Sequence, residues 1–195
     1  METALLVDVA GQPFGIPSNP LAAATADGRE AAIRAGRAFV FSTGLFQVAA
    51  GNYLNARVEN LAGSGRRVVI YKRRFDNNVI GGSAPLSYGG ISAPAPIVAP
   101  AITSSGSNLI TSGSASSALV LTAAMGAARI NNAAGNATPT AQGFLPTNGE
   151  PLKLVEWRIL LPGQAFANYI GGAGGGLAAA ATCGFTFYAW EEPLP

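Results

Sequence analysis

Leu54-Asn55-Ala56-Arg57-Val58-Glu59, then Asn60-Leu61-Ala62-Gly63-Ser64-Gly65, then Arg66-Arg67-Val68-Val69-Ile70-Tyr71 is the stretch that decides the fold class. Leu54, Ala56 and Val58 fall on one side of a two-residue period and Asn55, Arg57 and Glu59 on the other, which is the pattern of a half-buried strand. The small residues Ala62-Gly63-Ser64-Gly65 turn the chain, and Val68-Val69-Ile70-Tyr71 continues as a more fully buried strand. A hairpin is the economical reading.

Working outward, Ala38-Phe39-Val40-Phe41 and Leu45-Phe46-Gln47-Val48 are short β-rich runs separated by Ser42-Thr43-Gly44. Downstream, Ala118-Leu119-Val120-Leu121 is β-capable. Val155, Trp157, Ile159 and Leu161 alternate with Glu156, Arg158 and Leu160 until Pro162-Gly163 ends the run. After the glycine cluster at 171–176, Phe185, Phe187 and Ala189 alternate with Thr186, Tyr188 and Trp190, and both faces read as buried. Short strands with turn signals and no sustained helical period predict an all-β protein, a β-sandwich of jelly-roll type. Two sheets about 10 Å apart would place Trp157, Ile159, Phe185 and Phe187 in the shared interior.

Residues 1–36 carry neither period, and the prolines of Gln12-Pro13-Phe14-Gly15-Ile16-Pro17-Ser18-Asn19-Pro20 forbid a central strand or a helix interior. This segment reads as an extended N-terminal arm, the alternative being a disordered tail, with a short helix over Asp27 to Arg34 capped by Asp27. At about 3.3 Å per residue such an arm reaches on the order of 100 Å, enough to cross a neighbouring subunit. Phe14, Ile16, Pro17, Arg29 and Arg34 are its candidate anchoring residues. Residues 37–195 form the sandwich domain.

Between Asn77 and Gly149 the only charged side chain is Arg129. A soluble domain keeps about a quarter of its residues charged, so a tract this neutral is expected to face another protein surface. Its glycines and prolines predict long loops and edge segments at about 77–149 rather than continuous sheet. The chain as a whole is 195 residues with a formal charge of +2, close to neutral, which supports neither a nucleic-acid binder nor a polybasic membrane protein. Met1-Glu2-Thr3 has no basic region, the apolar stretch from Ala4 to Val7 is short, and the run from Leu177 to Trp190 falls short of the roughly 20 residues of a span and follows a glycine cluster. The expected product is soluble and made in the cytoplasm.

Catalytic chemistry finds little to work with. Histidine is absent, which removes the serine and cysteine triads and the usual zinc sites. Cys183, the one cysteine, lies among Ala181, Thr182, Gly184 and Phe185 and reads as a small buried side chain. The remaining carboxylates, Glu150, Glu156, Glu191 and Glu192, read as surface or docking charges. Gly63-Ser64-Gly65-Arg66-Arg67 lacks the lysine and hydroxyl residue of a phosphate loop, and Asn136-Ala137-Thr138 matches a glycosylation acceptor only by pattern. No enzyme and no cofactor is expected. The charge cluster Arg66, Arg67, Lys72, Arg73 and Arg74 flanks an apolar strand with only Tyr71 and Phe75 nearby, a poor match to nucleic-acid surfaces. It reads as an interface, or as solvated strand ends.

Two segments carry a resemblance. Val58-Glu59-Asn60-Leu61-Ala62-Gly63-Ser64-Gly65-Arg66-Arg67-Val68-Val69-Ile70 is one; Ile159-Leu160-Leu161-Pro162-Gly163 with Phe185-Thr186-Phe187-Tyr188-Ala189-Trp190-Glu191-Glu192-Pro193 is the other. Over about a quarter of the chain they resemble small β-sandwich virion proteins of tailed bacteriophages. The resemblance implies a jelly-roll module, often a homotrimer, acting as a capsid decoration (cement) protein on the virion surface with the major capsid protein as partner. Its alternative implication is a tail-fibre or spike module recognising host glycans through exposed aromatics such as Tyr88, Tyr169 or Trp190. The chain has no repetitive shaft or heptad, which favours the shell.

Overall fold

A computed structural model describes residues 28–79, 86–98, 100, 102–109, 114–116, 118–132, 135, 139, 141–146, 150–172 and 175–194. Phe14, Ile16 and Pro17 and most of the expected arm lie outside them, as does Asn136-Ala137-Thr138. Among the described residues one helix, α1 (Gly28–Arg34), precedes eleven strands: β1 (Ala38–Val48), β2 (Tyr53–Asn60), β3 (Arg66–Val79), β4 (Leu86–Ser92), β5 (Ile102–Ser104), β6 (Ser107–Asn108), β7 (Leu119–Gly126), β8 (Ala141–Phe144), β9 (Leu152–Leu160), β10 (Ala165–Gly172) and β11 (Ala181–Pro193).

The strands form two sheets, ordered β6-β1-β11-β3-β9 and β5-β7-β2-β10-β4-β8. All paired strands are antiparallel. Setting aside β5 to β7, the orders reduce to β1-β11-β3-β9 and β2-β10-β4-β8, and every chain step but β4 to β8 crosses between sheets. That is the connectivity of an eight-stranded jelly roll. The three extra strands are an insertion between β4 and β8: β7 and β5 extend the second sheet beyond β2, and β6 extends the first beyond β1.

One continuous core lies between the sheets. Phe41, Ile70, Phe75, Phe185 and Phe187 from the first sheet meet Leu54, Ala56, Val58, Leu121, Phe166 and Ile170 from the second. The alternation of Leu54, Ala56 and Val58 therefore points inward, and Phe185 and Phe187 are buried. On the outer side of the first sheet, α1 lays Ala32 and Ile33 over Ala38, Val69, Tyr71 and Trp190, a second small cluster. Both faces of β11 are thereby covered.

Three expectations need correction. The stretch from Leu54 to Tyr71 is not a hairpin, since β2 belongs to the second sheet and β3 to the first. Asn60 explains the crossing. Its side-chain Nδ2 donates to the carbonyls of Arg66 and Leu160, each at 2.8 Å, and its Oδ1 accepts from Ser64 Oγ at 2.7 Å. These bonds tie the end of β2 to the far sheet, and the Gly163 amide donates to the Asn60 carbonyl at 2.8 Å. The Asn60–Gly65 turn and the Pro162-Gly163 turn, distant in sequence, thus share one corner.

The second correction concerns β9, whose period is as expected but whose phase is reversed. Trp157 and Ile159 are each 56% exposed and Val155 is 75% exposed, whereas Leu160 is buried and Leu152 and Leu154 pack against the core. Register decides this: Leu160 pairs with Val68, and Leu152 with Phe75, both of which face the core. The third concerns the neutral tract. It supplies β4, β5, β7 and β8 of the second sheet and β6 of the first, so it is sheet as well as loop, with β4 and β7 in interior positions.

Candidate functional site

The basic cluster lies within β3 and divides between its faces. Arg66 meets the buried Glu191 carboxylate at 3.3 Å, and Arg67 pairs with Glu192. Lys72 stands over the Tyr188 ring at 4.9 Å, and Arg74 pairs with Asp76 at 2.6 Å. Arg73 is 1% exposed, so the interface expectation fails for it. A bulge at Tyr71, between the pairs Ile70–Ala189 and Lys72–Tyr188, shifts the inward phase and turns Arg73 into the sandwich. There its Nη1 donates to Asn168 Oδ1 at 2.6 Å and its guanidinium lies 5.2 Å from the Phe166 ring, which Arg158 approaches at 4.1 Å. Burial, with repulsion from Arg158, lowers the Arg73 pKa to about 10.

The C-terminal acids serve the same network. Glu191 accepts from Ser116 Oγ and from the Ala118 amide at 3.2 Å, fastening the inserted strands to β11. Its backbone amide donates to the Arg37 carbonyl at 2.8 Å. The Trp190 indole N–H donates to Glu192 at 2.8 Å and, together with Arg67, holds that carboxyl below its ordinary value. The side chain of Glu156 lies outside the described residues. Burial pushes the Cys183 thiol up to about 12, which leaves it protonated and inert near neutrality. Among the described residues no group of three or more potential ligands could hold a metal ion, and no helix is long and apolar enough to cross a membrane.

Two surfaces remain with the composition of contact sites. The first is the outward row of β9, an edge strand of the first sheet, where Val155, Trp157, Ile159 and the following Leu161 (45% exposed) stand in line. Trp157 meets Trp190 edge to face at 5.2 Å, so this row is continuous with the aromatic patch that α1 covers. Sequence periodicity found these residues and assigned them to the wrong side. Of the candidate anchors, Arg34 ends α1 on the surface; Arg29 lies in the same helix and its side chain is outside the described residues.

The second surface is a cleft of about 810 Å³ on the outer face of the second sheet, with Tyr53, Arg129, Asn131, Gln142, Phe144 and Tyr169 among its lining. Its wall is the segment after β7, where Asn55 Nδ2 donates to the Ala128 carbonyl at 3.1 Å and Asn55 Oδ1 accepts from the Ile130 amide at 2.9 Å. Ile130 is buried there with Ile91, Ala167 and Tyr169. The aromatics expected to be exposed are not so: Tyr169 and Trp190 are buried, and Tyr88 turns its ring toward Phe75 at 4.8 Å. Phe144, 62% exposed, was not anticipated, and nothing in its Gly-Phe-Leu-Pro context marks it.

The fold therefore defines the chain as an inserted jelly-roll β-sandwich. Compared with family models, curated proteins and solved structures, it matches none.

Proposed function

We propose that the protein is a non-enzymatic structural component of a virion, a bacteriophage capsid decoration protein that assembles as a homotrimer and binds the major capsid protein. The observation that carries this reading is the apolar row of β9. A strand that ends its sheet among the described residues, with three outward apolar side chains and Leu161 following them, is a liability for an isolated domain, and a second copy seated against it removes that liability. The jelly roll suits such packing, since both sheet faces and the edges can meet neighbours without disturbing the core. The resemblance at Asn60–Gly65 and at Trp190-Glu191-Glu192-Pro193 supports the phage assignment, and the structure brings those segments to one end of β3 and β11 through the Arg66–Pro193 pairing.

Light scattering on the purified chain at micromolar concentration is expected to give the mass of three chains. Trp157→Lys and Ile159→Lys, both at exposed positions, are expected to give folded monomers, with unchanged circular dichroism in Ile159→Lys, which leaves the Trp157–Trp190 pair in place. Removing residues 1–27, which leaves α1 in place, is expected to abolish binding to undecorated capsids and spare the trimer. A monomeric wild type, or variants that stay trimeric, would overturn the assembly; a truncated chain that still decorates capsids would overturn the anchor.

A further inference from the structure

The neutral tract places its single charge, Arg129, in the cleft on the second sheet, and the surroundings of that charge are built rather than incidental. Its guanidinium lies 5.2 Å from the centre of the Tyr169 ring, and Nη1 donates to the Tyr169 hydroxyl at 3.5 Å. Tyr53 meets Tyr169 edge to face at 6.1 Å. Both rings occupy space that only glycine leaves open: a Cβ at Gly89 would overlap the Tyr169 ring, and one at Gly171 would overlap that of Tyr53. The floor of the cleft is thus a pair of fixed tyrosines, and Asn55 pins the wall that carries Arg129.

Around this floor stand Asn131, Gln142 and the exposed ring of Phe144. Among the described residues no Asp or Glu lines the cleft, and Arg129 is the charged side chain in its lining. Aromatic surfaces match the C–H faces of a pyranose ring, side-chain amides donate and accept as sugar hydroxyls require, and a guanidinium fork matches a carboxylate. A volume of about 810 Å³ falls within the range of ligand clefts. A hydrophobic peptide would find too many amides here, and a purely apolar ligand no use for Arg129.

We propose that this cleft binds a carboxylate-bearing saccharide, an acidic sugar unit of a polysaccharide, with the ring against Tyr53 and Phe144 and the carboxylate at Arg129. This site is independent of the assembly through β9 and stands whether or not that assembly forms.

The test is calorimetric titration of the full chain with tetragalacturonate, its methyl ester, 3′-sialyllactose and its methyl ester, with amide chemical shifts to locate contact. At least one acid is expected to bind tenfold or more tighter than its uncharged counterpart, shifting resonances of 127–131 and 142–144. Arg129→Gln is expected to reduce the acid to the level of the uncharged counterpart, and Phe144→Ala to weaken both about tenfold. Because Arg129 packs on Tyr169, the exposed Phe144→Ala and Gln142→Ala keep the test sound should Arg129→Gln fail to fold. Absence of binding by all four probes, equal binding of acid and uncharged counterpart, or binding that survives both exposed-site variants overturns the proposal.

Discussion

Cys183 and Arg73 show how one side chain's setting controls its chemistry. Cys183 sits in the core beside Phe185, and burial raises its thiol from an ordinary 9.0 to about 12. Below pH 9 the thiol is neutral in the folded and unfolded chain alike, so it adds no pH dependence. Between 9 and 12 the unfolded chain sheds the proton and the folded chain does not. The unfolded state then binds fewer protons, and stability falls as pH rises, by up to about 1.4 kcal/mol per pH unit from this group. Urea unfolding at pH 8, 9.5 and 10.5 is expected to show this decline in the wild type, with a smaller slope in Cys183→Ala; parallel slopes would refute the assignment. The burial of Cys183 was legible from its small and aromatic neighbours. That of Arg73 was not, because three consecutive basic residues give no hint which of them a bulge will turn inward.

At the scale of elements, the corner between β2 and β3 decides the topology. A turn of four small residues suits a hairpin as well as a crossing, and Asn60 selects the crossing by spending its whole amide on the Arg66 and Leu160 carbonyls and on Ser64. Asn60→Ala takes a donor from the buried Leu160 carbonyl and leaves the half-buried Arg66 carbonyl with the Ser64 hydroxyl at 3.3 Å, and is expected to cost about 2 kcal/mol, read from chemical denaturation. Ser64→Ala, at a half-buried site with one principal partner, is expected to cost about 1 kcal/mol. Equal effects would show that the corner is held by something other than the asparagine. The period of β9 was also legible, but its phase was not. Apolar residues occur on both of its sides, and pairing with β3 chooses Leu152, Leu154 and Leu160 for the core while leaving Trp157 and Ile159 outside.

For the whole molecule, the covered and open edges differ. The inserted β5 to β7 extends both sheets on one side, where Glu191 accepts from Ser116 and Ala118 to hold it. On the other side β9 ends the first sheet with its apolar row exposed. If a second copy covers that row, folding and assembly are coupled, and thermal stability depends on concentration. A tenfold increase in protein is then expected to raise the melting temperature by about 2–3 °C for a chain of this size. Scanning calorimetry at two concentrations checks this, and Trp157→Lys is expected to lose the dependence.

By itself the sequence determined the β class, the positions of the main strands, the inward face of β2, the burial of Phe185 and Phe187 and the absence of histidine chemistry. These follow from local period and from composition, which need no knowledge of partners. Only the tertiary structure decided that β2 and β3 part company, that β9 faces its tryptophan outward, that Arg73 enters the core, and that Arg129 meets Tyr169, whose ring lies over Gly89. Each of those depends on the register between strands far apart in the chain, and a two-residue period fixes alternation while leaving open which side is in.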